Sequence, residues 1–165
     1  MIRDSGDRTE FPSGAVRDCK EGKGRFDLVP LDVVADIMGG SVLRYLAAFQ
    51  RGMWQKCDLD TALLEIALTD FCEERGWQSA DMMLEVAKHF EEGARKYGEH
   101  NWRRGIPVQC YIDSAVRHYL KWRRGDEDEP HDRAFAWNIM CCIWEVKQHD
   151  KSWAEESPDN ATAQG

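Results

Sequence analysis

From Leu31 onward, apolar side chains recur at helical spacing, and before that point they do not. Val33, Val34, Ile37 and Met38 precede Gly39-Gly40, and Val42, Leu43, Leu46 and Phe49 precede Gly52, which predicts two helical pieces with a break between them. Asp60 can cap a helix carrying Leu63, Ile66, Ala67 and Phe71, and Gly76 can stop it. Ser79 can cap the next helix, which Gly98 ends. A further helix is expected over about residues 113–124, and Pro130 suits the first turn of a last one reaching about His149. Residues 1–30 carry Gly6, Pro12, Gly14, Gly22, Gly24 and Pro30 among many charges, so no regular element is expected there. No strand is convincing: the sole candidate, IPVQCYI at 106–112, contains Pro107. The pattern predicts an all-α helical bundle with a loop-rich N-terminal arm (1–30), a helical domain (31–150) and a disordered tail (151–165).

Two of these helices suggest more than fold. In the Ser79 helix, Met83, Val86, Ala87, Phe90, Ala94 and Tyr97 form one apolar stripe. A wheel of about 100° per residue puts Glu91 at the stripe's edge, with Glu85 and Glu92 on the far side. Glu91 is therefore the acid expected to face inward. The last helix is apolar nearly all round from Ala134 to Trp144, which marks it as central. Asn138 lies in the middle of that run, and a buried amide without a partner costs about 1–3 kcal/mol, so it requires a bond to another helix, a water or a ligand.

Composition narrows the function classes. A chain of 165 residues suffices for one domain with a real core. A formal charge of −8 opposes the basic surface that nucleic-acid binding needs. No apolar run approaches the roughly 20 residues that cross a bilayer, and the first ten residues lack a signal-peptide core, so the expected location is the cytoplasm. The six cysteines, Cys57 among them, form no Cys-x-x-Cys pair, and most fit helical apolar patterns, which argues against zinc or disulfides. The seven tryptophans are expected mainly in the core.

Candidate chemistry gathers just before the apolar helix. Asp126, Glu127, Asp128 and Glu129 are consecutive acids, followed by Pro130, His131 and Asp132. Such a cluster is relieved by water or by a divalent cation, since magnesium and manganese prefer carboxylate oxygen. The helix immediately upstream bears Arg117, His118, Lys121, Arg123 and Arg124, bringing bases that can hold phosphate beside acids that can hold metal.

Three segments bear a specific resemblance. They are Ser13-Gly-Ala-Val-Arg-Asp18 with Gly22 to Pro30; Glu92-Gly-Ala-Arg-Lys-Tyr-Gly-Glu-His-Asn-Trp-Arg-Arg-Gly105; and Ser114-Ala-Val-Arg-His118 with the acid run, His131 and Ala136-Trp-Asn138. In order and spacing they resemble the phage-type dATP/dGTP diphosphohydrolases. The resemblance implies an all-α bundle of the MazG-like pyrophosphohydrolase type that cleaves purine nucleoside triphosphates to monophosphate and pyrophosphate, with magnesium or manganese held by helix-borne acids. Glu91, Glu127, Asp128 and His131 are the implied metal centre. Lys96, Arg117 and His118 are candidates for gripping polyphosphate; Tyr97, Asn101, Trp102 and Asn138 for holding base and sugar; and Arg17, Lys23 and Arg25 for a lid from the arm. Glu91, Glu127, Asp128 and Lys96 are the expected catalytic groups. A homodimer or homotetramer is expected by analogy, with phage purine metabolism in the host cytoplasm as the inherited context. Two departures stand out: no clean Glu-x-x-Glu pair lies on the Ser79 helix, and Ala134 occupies a position where the family often has histidine. A non-catalytic nucleotide-binding module and a triphosphohydrolase releasing tripolyphosphate are the alternatives, the latter because His131-Asp132 superficially resembles the doublet of such enzymes.

Overall fold

The computed structural model describes residues 6–19, 21–56 and 58–156, with side chains to 148; Cys57 and most of the expected disordered tail lie outside the described residues. A short antiparallel hairpin comes first, β1 (Arg8–Glu10) against β2 (Val16–Asp18), then a 3-10 turn at Phe26–Leu28. The helices are α1 (Leu31–Met38), α2 (Ser41–Gln55), α3 (Thr61–Arg75), α4 (Ser79–Tyr97), α5 (Val108–Arg124) and α6 (His131–Glu156). The architecture is a helical bundle, as the periodicity predicts. No described helix is long and apolar enough to cross a membrane.

Local chemistry explains most boundaries. The Asp60 side chain accepts the Ala62 amide at 2.9 Å, and Gly76 closes α3 in the left-handed conformation at φ 75°. The cap of α4 lies one residue before the expected Ser79: Gln78 is the N-cap, and its backbone N–H donates to Asp81 at 2.9 Å in a capping box. α2 runs through Gly52 to Gln55, since helix packing outweighs the propensity penalty of one glycine. Two expectations are corrected. The arm is not free of regular structure, because it holds the hairpin; and α5 begins at Val108, well before the expected start near 113, so that IPVQCYI, already doubtful as a strand, enters a helix directly after Pro107. Proline lacks the amide that the first helical turn leaves unbonded anyway.

α6 is central, packing against α3, α4 and most extensively α5. Phe135 on α6 meets Phe71 on α3 at 4.4 Å between ring centroids and Tyr119 on α5 at 5.6 Å. Burying an apolar side chain of this size contributes about 2–3 kcal/mol. The arm belongs to the core as well: Ala15 is fully buried in the hydrophobic cluster, and Phe11 and Phe26 pack on it. The core therefore extends into the arm. Of the tryptophans, Trp77, Trp102, Trp122, Trp137 and Trp144 lie half-buried at the core's margin, while Trp54 is half-exposed.

α4 is rotated from the expected orientation. Its buried edge runs through Met82, Val86, His89 and Gly93, and Ala87 and Met83 face outward. Glu91 is exposed and paired with Arg95, the next turn along; Glu92 instead reaches inward, accepting from the buried Arg133 at 2.7 Å. Apolar side chains alone define the stripe on a wheel, whereas the real face also buries polar groups that have found partners.

Candidate active site

The arm is pinned to the bundle by polar contacts, and these use several residues expected to bind ligand. Both ends of the Asn101 amide serve the Val16 backbone: Oδ1 accepts from its N–H at 2.9 Å and Nδ2 donates to its carbonyl at 2.8 Å. Asn101 thus clips β2 with both ends of its amide engaged, while lining the cleft. Arg117 donates to the carbonyls of Lys23 (3.0 Å) and Gly24 (3.3 Å) and pairs with Asp113, which is fully buried and accepts the Phe26 amide at 2.6 Å. Arg117 therefore holds the arm. Arg25 turns to Asp27 at 2.6 Å and does not line the site.

Between arm and bundle lies a cleft of about 1610 Å³. β2 and Lys23 form one wall; the end of α4 and the turn to Arg103 form a second; α5 and the acid run form a third; Trp137 and Asn138 of α6 close the floor. The lining includes the aromatic rings of Phe90, Tyr97, Trp102 and Trp137, with Phe90 and Trp102 5.5 Å apart. It also carries the basic groups Arg17, Lys23, Arg117, Lys121, Arg123 and Arg124, and Arg17 lies against Trp137.

Arg17 reaches across the floor. Its Nη2 donates to Asn138 Oδ1 at 2.8 Å and to Ser114 Oγ at 3.3 Å, and its guanidinium lies 5.0 Å from the Tyr111 ring centroid. This gives Asn138 the partner its burial demands; the amide also donates to the Ala134 carbonyl at 2.8 Å. The Arg17 partners are neutral, and among the described residues no carboxylate stands within ion-pair distance. Its Nη1 is buried with no hydrogen bond, as are Trp137 Nε1 and His89 Nδ1 in the same lining. A buried donor left unpaired costs about 1–3 kcal/mol, and more when charged. Burial and the nearby Arg133 push the His89 imidazole down to about 3, so it is neutral.

Beside Arg17, two histidines face each other. His118 Nδ1 and His131 Nδ1 are 3.0 Å apart, and Glu129 Oε1 lies 3.7 Å from the first and 3.6 Å from the second. His131 Nε2 meets Asp128 Oδ1 at 2.8 Å, while Lys121 Nζ donates to Asp128 Oδ2 at 3.0 Å. These two bonds hold the Asp128 carboxyl well below its ordinary range. Burial, and then the facing imidazole, hold His118 well below its ordinary value. Two donor sets have the reach to hold a cation, His118–Glu129–His131 and Asp126–Asp128–His131.

Lys96 is nearly buried and donates to Asp18 at 3.0 Å, with Lys23 Nζ 3.5 Å from the same carboxylate. Burial works to discharge Lys96; the bonds to Asp18 and Tyr97 outweigh it and hold the ammonium above its ordinary range. Of the expected metal centre, Asp128 and His131 are brought together. Glu127 is exposed and in neither donor set, and Glu91, though at the cleft's edge, is not among them. His118, expected to grip phosphate, instead stands as a donor beside His131. Sequence reasoning missed Glu129, His89, Ser114 and Trp137. The acid run signalled Glu129 only as a member of a cluster, since a turn has no periodicity to say which of four adjacent acids points inward.

A family model described as dATP/dGTP diphosphohydrolase, N-terminal, matches residues 59–155, from α3 through α6, which supply the cleft lining apart from the arm and Met38 of α1. No curated protein and no solved structure matches the chain.

Proposed function

The chain belongs to the dATP/dGTP diphosphohydrolase family, and from that premise we propose that the cleft hydrolyses purine deoxynucleoside triphosphates to the monophosphate and pyrophosphate. The observation that carries this reading is Arg17: a guanidinium with neutral partners and an unbonded Nη1, beside a group of imidazole and carboxylate donors. A fixed cation without a carboxylate suits an anionic ligand, and a polyphosphate supplies both the charge and the acceptor oxygens.

In this reading the Trp102 and Phe90 rings take the base, a purine covering more of them than a pyrimidine does. Asn138 and Ser114 keep the Arg17 fork in place, so little order is lost when phosphate oxygens meet it. Lys96 and Lys23, gathered on Asp18, add positive charge above the floor. Asn101 and Arg117 act at one remove by fixing the arm. Magnesium or manganese, when bound, neutralises phosphate charge and makes water easier to deprotonate; His118, Glu129 and His131 supply the donors, with Asp128 behind them. Cytoplasmic location and a homo-oligomer of two or four chains belong to the same proposal, by family analogy.

The triphosphohydrolase alternative loses its motif. Asp132 turns away from His131 and accepts from Arg75 on α3 at 2.9 Å, so the doublet does not act as a pair. The deciding experiment is a panel of nucleoside triphosphates with magnesium or manganese, with products resolved by chromatography in heavy-oxygen water. Equal amounts of monophosphate and pyrophosphate from dATP or dGTP, with label in the monophosphate and slower turnover of pyrimidines, are expected. Nucleoside with tripolyphosphate, or nucleotide bound without turnover, would overturn the assignment.

A further inference from the structure

We propose that His118, His131 and Glu129 form a centre of two nitrogens and one oxygen that takes a single divalent transition-metal ion in preference to magnesium, with Asp128 as the positioning residue behind His131. The inference deepens the proposed hydrolase reading by identifying the ion, and it rests on that reading only for the ion's use, not for its binding.

Donor spacing is the first argument. An ion bound at roughly 2.0–2.1 Å by imidazole needs neighbouring donors roughly 3.0–3.4 Å apart for octahedral or tetrahedral angles. The two Nδ1 atoms stand 3.0 Å apart, and the Glu129 oxygen is 3.6 and 3.7 Å from them, so small side-chain adjustments suffice. The turn after α5 and the first residue of α6 bring these atoms together, and neither helix supplies the set alone.

The second argument is the group behind the donors. A histidine that ligates a metal through one nitrogen characteristically donates its other N–H to a carboxylate, which fixes the tautomer and aims the lone pair. Asp128 Oδ1 stands 2.8 Å from His131 Nε2, and Lys121 holds the other carboxylate oxygen at 3.0 Å. With the proton on Nε2, the Nδ1 lone pair of His131 is directed at His118 and Glu129. In the ion-free protein, His118 Nδ1–H donates to that lone pair. An ion takes its place when His118 moves its proton to Nε2, and no proton is released.

Selectivity follows from donor type. Imidazole suits iron, cobalt, nickel and zinc better than it suits magnesium, which prefers water and carboxylate oxygen; manganese stands between them. His118, Asp128 and Glu129 line the cleft, and three protein donors leave coordination positions open toward it.

The test uses the full chain, stripped with chelator and titrated with manganese, cobalt or magnesium by calorimetry, with pulsed electron paramagnetic resonance on the manganese form. One equivalent of manganese or cobalt, two imidazole nitrogens coupled to the manganese, and magnesium at least about 100-fold weaker than cobalt are expected. His131→Ala and His118→Gln should each remove one nitrogen coupling. Asp128→Asn should weaken the ion by about 10–100-fold while keeping both couplings, and Glu73→Gln on α3 should change nothing. Circular dichroism identifies any variant that fails to fold, and the wild-type couplings decide the question without variants. Absent nitrogen coupling, or magnesium bound as tightly as cobalt, would overturn the inference. An ion held by two nitrogens in a protein that releases no pyrophosphate would leave the inference standing and sink the reaction; pyrophosphate release with magnesium and no coupled nitrogen would do the reverse.

Discussion

Arg17 brings a positive charge into a wall that offers it, among the described residues, an amide oxygen, a hydroxyl and two aromatic rings but no carboxylate. In the free protein this arrangement lowers stability, because a partly desolvated charge without a counter-charge costs free energy. Its retention makes sense if a ligand completes it. Arg17→Met should therefore lower kcat/KM on dGTP by more than about 100-fold while the melting temperature moves by no more than a few degrees. Arg17→Lys should recover little of the loss, because an ammonium cannot bond Asn138 and a phosphate in the same fork geometry. Recovery of most activity with lysine would mean that charge alone matters. Glu91 and Glu92 differ equally sharply. Glu92→Gln removes the nearer of two counter-charges from buried Arg133, leaving Glu85 at 3.9 Å, and should destabilise the fold by about 2 kcal/mol; Glu91→Gln breaks an exposed pair and should cost well under 1 kcal/mol. Urea unfolding of the two variants checks the pair, and equal costs would contradict the rotation of α4.

At the scale of elements, the arm decides whether the cleft exists. β2 supplies Arg17 and Asp18, and it is held by side chains from the α4–α5 turn, α5 and α6. Asn101→Ala removes two hydrogen bonds to the Val16 backbone and should cost about 1–3 kcal/mol. It should also raise KM, because β2 loses its register over the phosphates. Deleting residues 1–26 should abolish activity and lower the melting temperature too, since Ala15 and Phe26 leave the core with it. A deletion that keeps both rate and stability would show the arm to be a dispensable tail.

Across the whole molecule, buried neutral histidine ties stability to pH. His89 is ordinarily near 6.5 and is held at about 3 by burial and by Arg133. The unfolded chain therefore takes up a proton below about 6.5 that the fold refuses, and stability falls with pH from there toward 3, by up to about 1.4 kcal/mol per unit. His118, held neutral in the same sense, adds to the slope. Urea unfolding between pH 7.5 and 5, above most carboxylate titration, should show this slope, and His89→Gln should reduce it. A slope unchanged in that variant would place the titration elsewhere.

Periodicity, caps and breakers were enough to read the bundle: Asp60 and Gly76 bound α3, Gly39-Gly40 separates α1 from α2, and the apolar run after Ala134 marks α6 as central. The Gly-Ala-x-Lys-Tyr-Gly-x-x-Asn-Trp stretch likewise carried the family. These signals are local, each depending on residues within a few turns. What tertiary structure alone decided is which polar groups meet. The hairpin forms where Asn101, far along the chain, clips Val16; α4 turns toward Arg133 and Asp18, on α6 and β2, and so exposes Glu91; and Glu129, not Glu127, faces His118 because the turn between two helices sets its direction. A polar side chain has no periodic preference to betray it. Its place is set by a partner distant in sequence, and burial without that partner would cost more than the local pattern can repay.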